Sequence, residues 1–271
     1  MGIVSLITDY GYRDTYLAIV KARLLNASPS LNIVDASNDI RNRDLLSVAH
    51  NLYRVLSTFP ENSIHLLSFR YHIERNASND RHVPDLTRFL ITRYKNQYII
   101  APDSGIFTIL DPEFNEPVYQ IFYDGEEKRQ FFLLDIYVPV TLHLLQEKPI
   151  TEIASPINDY YKAIGYDSFL TGNVLHLKEI YVDDFGNLVT NIRKEQFYKL
   201  AGNRRFTITL PGSKITKISH SYDDEAFGQP LALFNHFGYL EIAINGASAM
   251  RFFLPSKMDK QKIQILVEFD D

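Results

Sequence analysis

The sequence predicts an α/β domain over residues 1–160, built on a mostly parallel sheet, followed by an all-β, barrel-like domain over 170–271. Two observations predict it. In the first half, short apolar runs alternate with helix-spaced apolar residues, the pattern of buried parallel strands covered by helices. From about Asn173 onward, β-branched and aromatic runs succeed one another between Gly, Asn and Pro breaks, which is the pattern of an antiparallel barrel or sandwich. The stretch Ala154–Gly172 between the two reads as the linker.

Taken in order, "IVSLI" (Ile3–Ile7) is a strand buried on both faces. After "TDYGYRD", Leu17, Val20, Leu24 and Leu25 recur at helical spacing until "NASPS" stops them. "LNIVD" (Leu31–Asp35) is a second strand. Leu45, Ala49, Leu52, Leu56 and Phe59 mark an amphipathic helix closed by Pro60, and "SIHLLSF" (Ser63–Phe69) is a third strand. Arg70–Leu86 is polar and turn-rich, a long loop. "FLITRY" and "QYIIAP", joined by Lys95-Asn96, form a hairpin that ends in the Pro-Asp-Ser-Gly turn of "APDSGIFT". In "FFLLDIYVP" an apolar run meets Asp135 at a helix start, where a lone carboxylate is either a cap or the remnant of a motif. The second domain takes its strands from "NVLHLKEIYVD", "LVTNI", "RFTITL", "YLEIAIN" and "IQILVEF", with one helix at Lys194–Leu200.

Composition narrows the function classes. The 271 residues carry 28 Lys+Arg against 33 Asp+Glu, a formal charge of −5 that gives no support to nucleic-acid binding. The absence of cysteine excludes disulfides, thiolate metal sites and a thiol nucleophile. No apolar run approaches the roughly 20 residues of a membrane span. The opening "MGIVSLITDYGY" lacks a basic n-region, so a cytoplasmic location is expected.

Several residues are candidates for chemistry. There is no GxGxxG after the first strand, no GxxxxGK[ST] and no GxSxG, which argues against dinucleotide, P-loop and α/β-hydrolase enzymes. Asp9 falls at the carboxyl end of the first strand, where open α/β sheets place ligands. It either accepts both hydroxyls of a ribose or, with Thr8, caps the following helix. In "YVDDFGNLVTNI" the Gly-Asn pair makes a hairpin turn. Alternatively Phe185 offers a stacking face and Asn187 an amide that reads a purine or an amino-acid head group. "NHFGYLEIAINGAS" repeats this polar–aromatic–Gly theme.

Six blocks in chain order, "ITDYGYRDTYLAIVKARLL", "IVDASNDI", "APDSGIFT", "FFLLDIYVP", "YVDDFGNLVTNI" and "GYLEIAINGASA", resemble those of the S-adenosylmethionine hydroxide adenosyltransferases and the related fluorinases and chlorinases. The resemblance covers nearly the whole chain and implies the same two-domain plan. It also implies a homotrimer holding S-adenosylmethionine between subunits, with water displacing methionine at the ribose C5′ to give adenosine, and no further cofactor or metal. By resemblance Asp9 holds the ribose. Phe185 and Asn187 match adenine-stacking and methionine-end contacts, and Asp183 takes the amino group. Asn235, His236 and Phe237, with the backbone near Asn245 and Gly246, match the segment that reads the adenine edge.

The chain departs from the family around the nucleophile. Arg70 stands where an "IDPGVG" block places an Asp. Phe132, Leu133 and Leu134 replace the His, Gly and Arg of "TFHGRD", and Asn38 replaces the His of "VDxTH". Arg88 matches the family arginine only across an insertion. That inserted loop carries His72, Glu74, Asp80, Arg81, His82 and Asp85, so Asp80 and His82 are candidate bases, although a solvated charge-rich loop is the plainer reading. Two readings follow: a divergent hydrolase of S-adenosylmethionine, or a binding homologue of adenosine or S-adenosylmethionine without turnover.

Overall fold

A computed structural model describes residues 2–40, 44–70, 87–123, 131–163, 166–253 and 263–270. The chain divides into two compact units, Met1–Ile164 and Gly165–Asp271. The first holds β1 (Ile3–Thr8), α1 (Tyr16–Ala27), β2 (Asn32–Ser37), α2 (Leu45–Thr58), β3 (Ile64–Ser68), β4 (Phe89–Tyr94), β5 (Gln97–Pro102), α3 (Ile106–Leu110) and β6 (Val118–Ile121). A π-helical turn, Leu133–Tyr137, runs into α4 (Val138–Leu145), and β7 (Ala154–Ile157) closes the unit. The second holds β8 (Phe169–Thr171), β9 (Val174–Val182), β10 (Leu188–Arg193), α5 (Lys194–Ala201), β11 (Phe206–Leu210), β12 (Ser213–Ile215), β13 (Pro230–Phe234), β14 (Tyr239–Ile244), α6 (Ala249–Phe253) and β15 (Gln264–Phe269).

Among the described residues of the first unit the strand order is β2-β1-β3-β5-β4-β6-β7. β1, β2, β3 and β5 run parallel, and β4, β6 and β7 add antiparallel pairings. Apolar residues cover both faces. α1, the π turn and α4 pack on one through Leu17, Val20, Leu24, Tyr137 and Leu144. α2 and α3 pack on the other through Val48, Leu52, Ile106 and Phe107. The helices follow from their sequence: Asp44 caps α2 by accepting the Ser47 amide, satisfying one of the free N–H groups of its first turn. Leu25 departs from expectation, because it lies 39% exposed on the outer side of α1. The β4–β5 hairpin forms as its spacing predicts, with Lys95 and Asn96 both at positive φ, the backbone of a two-residue primed turn.

Polar groups also enter the sheet. Ser5 and His65 are register partners on β1 and β3, and Gln97 lies two residues before the β5 partner of His65, all three buried. The Ser5 hydroxyl lies 2.6 Å from His65 Nδ1, and His65 Nε2 donates to Gln97 Oε1 at 2.7 Å. Gln97 in turn donates to the Leu56 carbonyl, so the row is hydrogen-bonded from end to end. Burial holds the imidazole neutral, pulling its pKa down to about 4 against a smaller upward pull from Gln97.

In the second unit one antiparallel ladder runs β12-β11-β15-β9-β10-β14-β13, with β8 beside β9. β12 and β13, the ends of the ladder, approach each other, so the sheet curls into a nearly closed barrel. Leu177, Leu188, Ile208, Leu240, Ile242 and Val267 fill it, and Phe197 of α5 packs into the same core. No described helix is long and apolar enough to cross a membrane.

Candidate functional site

In the first unit β1 lies between β2 and β3, so the chain leaves β1 toward β2 on one side and returns past it to β3 on the other. Such a reversal opens a crevice at the carboxyl ends of β1 and β3, where doubly wound sheets bind ligands. Asp9 sits at its rim. Its amide donates to the Ser68 carbonyl at 3.3 Å, and its Oδ2 accepts the Arg70 amide at 2.8 Å. The carboxylate is therefore held across the crevice rather than capping a helix. α1 begins seven residues later, behind Thr15, without a side-chain cap. Beneath it, Thr8 Oγ1 donates to Asn38 Oδ1 at 2.8 Å, and Asn38 Nδ2 donates to Asp35 at 2.8 Å. Asn38, itself buried, thus ties β1 to β2.

Arg88 precedes β4 at the same edge of the sheet but three strands from β1, about 14 Å at roughly 4.8 Å per strand. Its guanidinium lies 3.4 Å from Asp103 and 3.3 Å from Asp159, and it donates to the Asp159 carbonyl. Asp103, 2% exposed, also accepts the Tyr161 amide at 2.8 Å. Arg88 therefore clamps the "PDSG" turn to the 159–161 segment. The other candidate catalytic residues, Asp80 and His82, lie outside the described residues.

The "FFLL" stretch forms an aromatic wall. Phe131 packs edge-on against Tyr10 and Tyr16, at 5.4 and 5.3 Å between ring centres. Phe132 meets Phe89 at 4.9 Å and Tyr123 at 6.3 Å. Leu133 is fully buried. The wall thus joins the neighbour of Asp9 to the neighbour of Arg88 with rings that exchange no proton at neutral pH. Burial raises the Tyr10 phenol, and Tyr137 behind the wall is raised well above its usual value for the same reason. Asp135 is not the cap its sequence suggests. It sits inside the π turn, its amide donating to the Phe131 carbonyl at 2.9 Å. There it helps line a groove of about 710 Å³ with Ile19, Arg23, Val138 and Leu142.

In the barrel unit the singled-out segments gather at three turns. Asp183 and Asn187 grip each other: Asp183 Oδ1 accepts the Asn187 amide at 2.8 Å and Oδ2 accepts Asn187 Nδ2 at 3.0 Å. This leaves Phe185 at the turn, 81% exposed. Gly186, at φ +86°, sits so close to Ser248 that a Cβ would fall 2.0 Å from its Oγ, and the Met250 amide donates to the Gly186 carbonyl. Asn235 also serves its own turn. Its Oδ1 accepts the amides of Phe237 and Tyr239, both at 3.1 Å, and its Nδ2 donates to Glu241 Oε2 at 3.1 Å. His236 stays exposed, edge-on to Phe237. Asn245 binds the third turn: its Nδ2 donates to the Glu225 carbonyl, its amide to Gln229, and its carbonyl accepts the Gly228 amide. Gly246 stands next to it at positive φ.

Three residues of this cluster were missed in the sequence. Glu241 is 3% exposed in the middle of β14 and accepts both Tyr222 O–H, at 2.7 Å, and Asn235. Tyr222 is raised well above its usual range, first by burial and then by Glu241. Phe227 is 80% exposed with its ring against Gly246. The charge inside "YLEIAI" was a visible signal for Glu241. Tyr222 and Phe227 stand in a segment without strand or helix periodicity, so nothing local marked them. Among the described residues no cluster of three or more His, Asp or Glu is placed to hold a metal ion.

Comparison with known proteins bears on this arrangement. Residues 4–154 match the family model described as SAM hydroxide adenosyltransferase N-terminal domain, and residues 178–260 match its C-terminal domain. The chain is similar to the (R)-S-adenosyl-L-methionine hydrolase of Methanocaldococcus jannaschii, 25% identical over 72% of this chain and 69% of that one. It is also similar to the protein of the same name from Thermus thermophilus, 24% identical over 91% and 93%. Two crystal structures share the fold. One is a conserved protein of Thermotoga maritima, with TM-score 0.78 and 24% identity over 98% of this chain and 99% of that one. The other, a conserved protein of Thermus thermophilus, has TM-score 0.70 and 21% identity over the full length of both.

Proposed function

The chain belongs to the SAM hydroxide adenosyltransferase family, and we propose that it binds S-adenosylmethionine, with displacement of methionine by water at C5′ as its chemistry. One observation carries the binding reading. The 225–229 turn is hydrogen-bonded to Asn245, the 183–187 turn packs on Ser248 and accepts the Met250 amide, and the two present the exposed rings of Phe227 and Phe185. Rings supply the face on which a purine stacks, and amides supply the edge contacts that distinguish it from other flat ligands. In this reading Phe185 stacks on the adenine, the Asp183–Asn187 turn borders the methionine end, and Asn235 to Phe237 with Gly246 border the base. Asn235 and Asn187 act mainly by holding their turns, since their side chains are already hydrogen-bonded. Asp9, fixed across the β1–β3 crevice by the Arg70 amide, takes the ribose hydroxyls. We further infer a cytoplasmic homotrimer, the state that the family resemblance implies.

The reaction asks little acid catalysis of the protein. Water oxygen attacks C5′ as the C5′–S bond breaks, and the electron pair stays on sulfur, which leaves as a neutral thioether. One water proton is lost to give adenosine. The protein has to align the water, strip its solvent and accept that proton. The aromatic wall of Phe131, Phe132 and Leu133 supports the second task and cannot perform the third. Phe132 packed between Phe89 and Tyr123, where the family's histidine would stand, favours a second reading: binding of adenosine or S-adenosylmethionine without turnover.

Incubation with S-adenosylmethionine, followed by chromatography for adenosine and methionine, separates the two. Equimolar release of both products establishes turnover. A thermal shift with ligand but no adenosine establishes binding alone.

A further inference from the structure

Beside Asp9 the aromatic wall gives way to a pair of hydroxyls that the reading above leaves without a task. Tyr10 follows Asp9 at the carboxyl end of β1, and Ser68 is the last residue of β3, where Thr8 is its register partner. The Tyr10 hydroxyl lies 3.4 Å from Ser68 Oγ, and both residues are partly buried. The surrounding structure holds the pair in place. Ring contacts with Phe131, at 5.4 Å, and with Tyr16, at 5.6 Å, fix the Tyr10 ring. The Asp9 amide donates to the Ser68 carbonyl, and Asp9 Oδ2 accepts the Arg70 amide. Carboxylate and hydroxyls therefore belong to the ends of the same two strands.

At 3.4 Å the two oxygens are too far apart for a strong mutual bond, for which about 2.7–2.8 Å is usual. Their lone pairs stay available to a third partner. A water about 2.8 Å from each oxygen fits this spacing. If it donates one hydrogen to each, its own lone pairs point away from the protein, free to attack. Burial raises the Tyr10 phenol against a smaller downward pull from Ser68. The phenol therefore stays protonated at neutral pH, and it can place a water but not deprotonate one. Where Asp9 holds the ribose hydroxyls, C5′ is carried on the same sugar ring and enters the same crevice. Phe131, packed on Tyr10, keeps bulk solvent from that side.

We propose that the Tyr10 and Ser68 hydroxyls together hold the attacking water, each accepting one of its hydrogens so that a lone pair faces C5′. The assignment rests on the turnover reading above and adds to it the residues that place the nucleophile. The water oxygen bonds to C5′ while the C5′–S electron pair withdraws onto sulfur. The oxonium so formed is a strong acid. It passes one proton to Ser68 Oγ as the serine releases its own to solvent water, leaving adenosine and an unchanged protein, so no group of matched pKa is needed.

Tyr10→Phe removes one oxygen and keeps the ring contacts, Ser68→Ala removes the other, and Ser68→Thr keeps a hydroxyl at the end of the strand. Adenosine release from S-adenosylmethionine and calorimetric titration with adenosine are measured on each. Tyr10→Phe and Ser68→Ala should each lower kcat on the order of 100-fold, the cost of misplacing a reactant by about 1 Å. KM and adenosine affinity should stay at the parent's values. The double variant should lose little more than either single one, because both oxygens act through one water, and Ser68→Thr should recover most of the rate. Tyr10→Phe should also melt close to the parent, which separates loss of rate from loss of fold. Unchanged kcat in Tyr10→Phe or Ser68→Ala, or a loss confined to KM, overturns the role of the pair and leaves the turnover reading standing. A parent that binds S-adenosylmethionine and releases no adenosine overturns the pair and turnover together, and leaves binding. No binding by the parent overturns all three.

Discussion

Glu241 shows how one residue can organise a site it does not enter. A carboxylate almost fully removed from water is stabilised by donors, and Tyr222 and Asn235 supply two. In doing so it fixes the turn that follows β13 and the loop that follows β12. Glu241→Ala should therefore cost roughly 1 kcal/mol in urea unfolding, since the half-exposed Tyr222 hydroxyl and the partly buried Asn235 amide lose their acceptor. Glu241→Gln, which keeps one acceptor oxygen, should cost less and keep more of the ligand affinity. A Glu241→Ala protein as stable as the parent would contradict this role. The carboxylate was legible as a charge inside an apolar strand, but its partners were not. Tyr222 is 19 residues away, and Tyr222 sits in a segment with no periodicity. Asp9 was legible by its place after the first strand. The Arg70 amide that holds it comes from 61 residues away, and only the pairing of β1 with β3 brings it there. The cap reading of Asp135, one of two the sequence left open, arose because an apolar run followed by an acid looks like a helix start. The helix had in fact already begun, in a π turn that local spacing does not reveal.

At the scale of elements, the proposed ligand contacts fall on turns, and the strands hold those turns in place. Gly186 is the plainest test. It needs positive φ and leaves no room for a Cβ beside Ser248. Gly186→Ala should destabilise the barrel unit by about 2 kcal/mol or more and weaken adenosine binding, both measurable by melting with and without ligand. Equal melting of parent and variant would show that the turn is less constrained than described. Strands with a clear run, such as Ile3–Thr8 and Val174–Val182, were legible from residue pattern alone. β13 was not, because its opening Pro230 reads as a break. Proline is tolerated at the first residue of a strand, where no ladder N–H is needed from it. β6, β8 and β12 were missed because three or four residues are too few to show a period. The wall built by Phe131 and Phe132 was legible as a loss of polar residues, and the structure shows what replaced them, a set of edge-on ring contacts.

At the scale of the whole molecule, the α/β unit and the barrel unit follow from the alternation of patterns, and the reversal of strand order at β1 supplies the crevice at Asp9. The sheet that forms this crevice also carries a pH dependence. His65 is held neutral in the native state down to about 4, whereas an unfolded histidine titrates near 6.5. The unfolded state thus binds the proton first as pH falls. Stability should be full above about 6.5, decline between 6.5 and 4, and lose roughly 3 kcal/mol in all from this group. Urea unfolding at pH 7.5 and pH 5 measures it, and a His65→Gln variant should remove most of the difference. Light scattering tests the assembly, with three chains per particle expected. The account rests above all on ligand binding by this chain, and melting of the native protein with excess adenosine tests that most directly. At 100 times the dissociation constant the ligand should add about 2.7 kcal/mol of stability, and the same protein bearing Phe185→Ala should gain far less. Identical melting of the native protein with and without adenosine, and with and without S-adenosylmethionine, would contradict it.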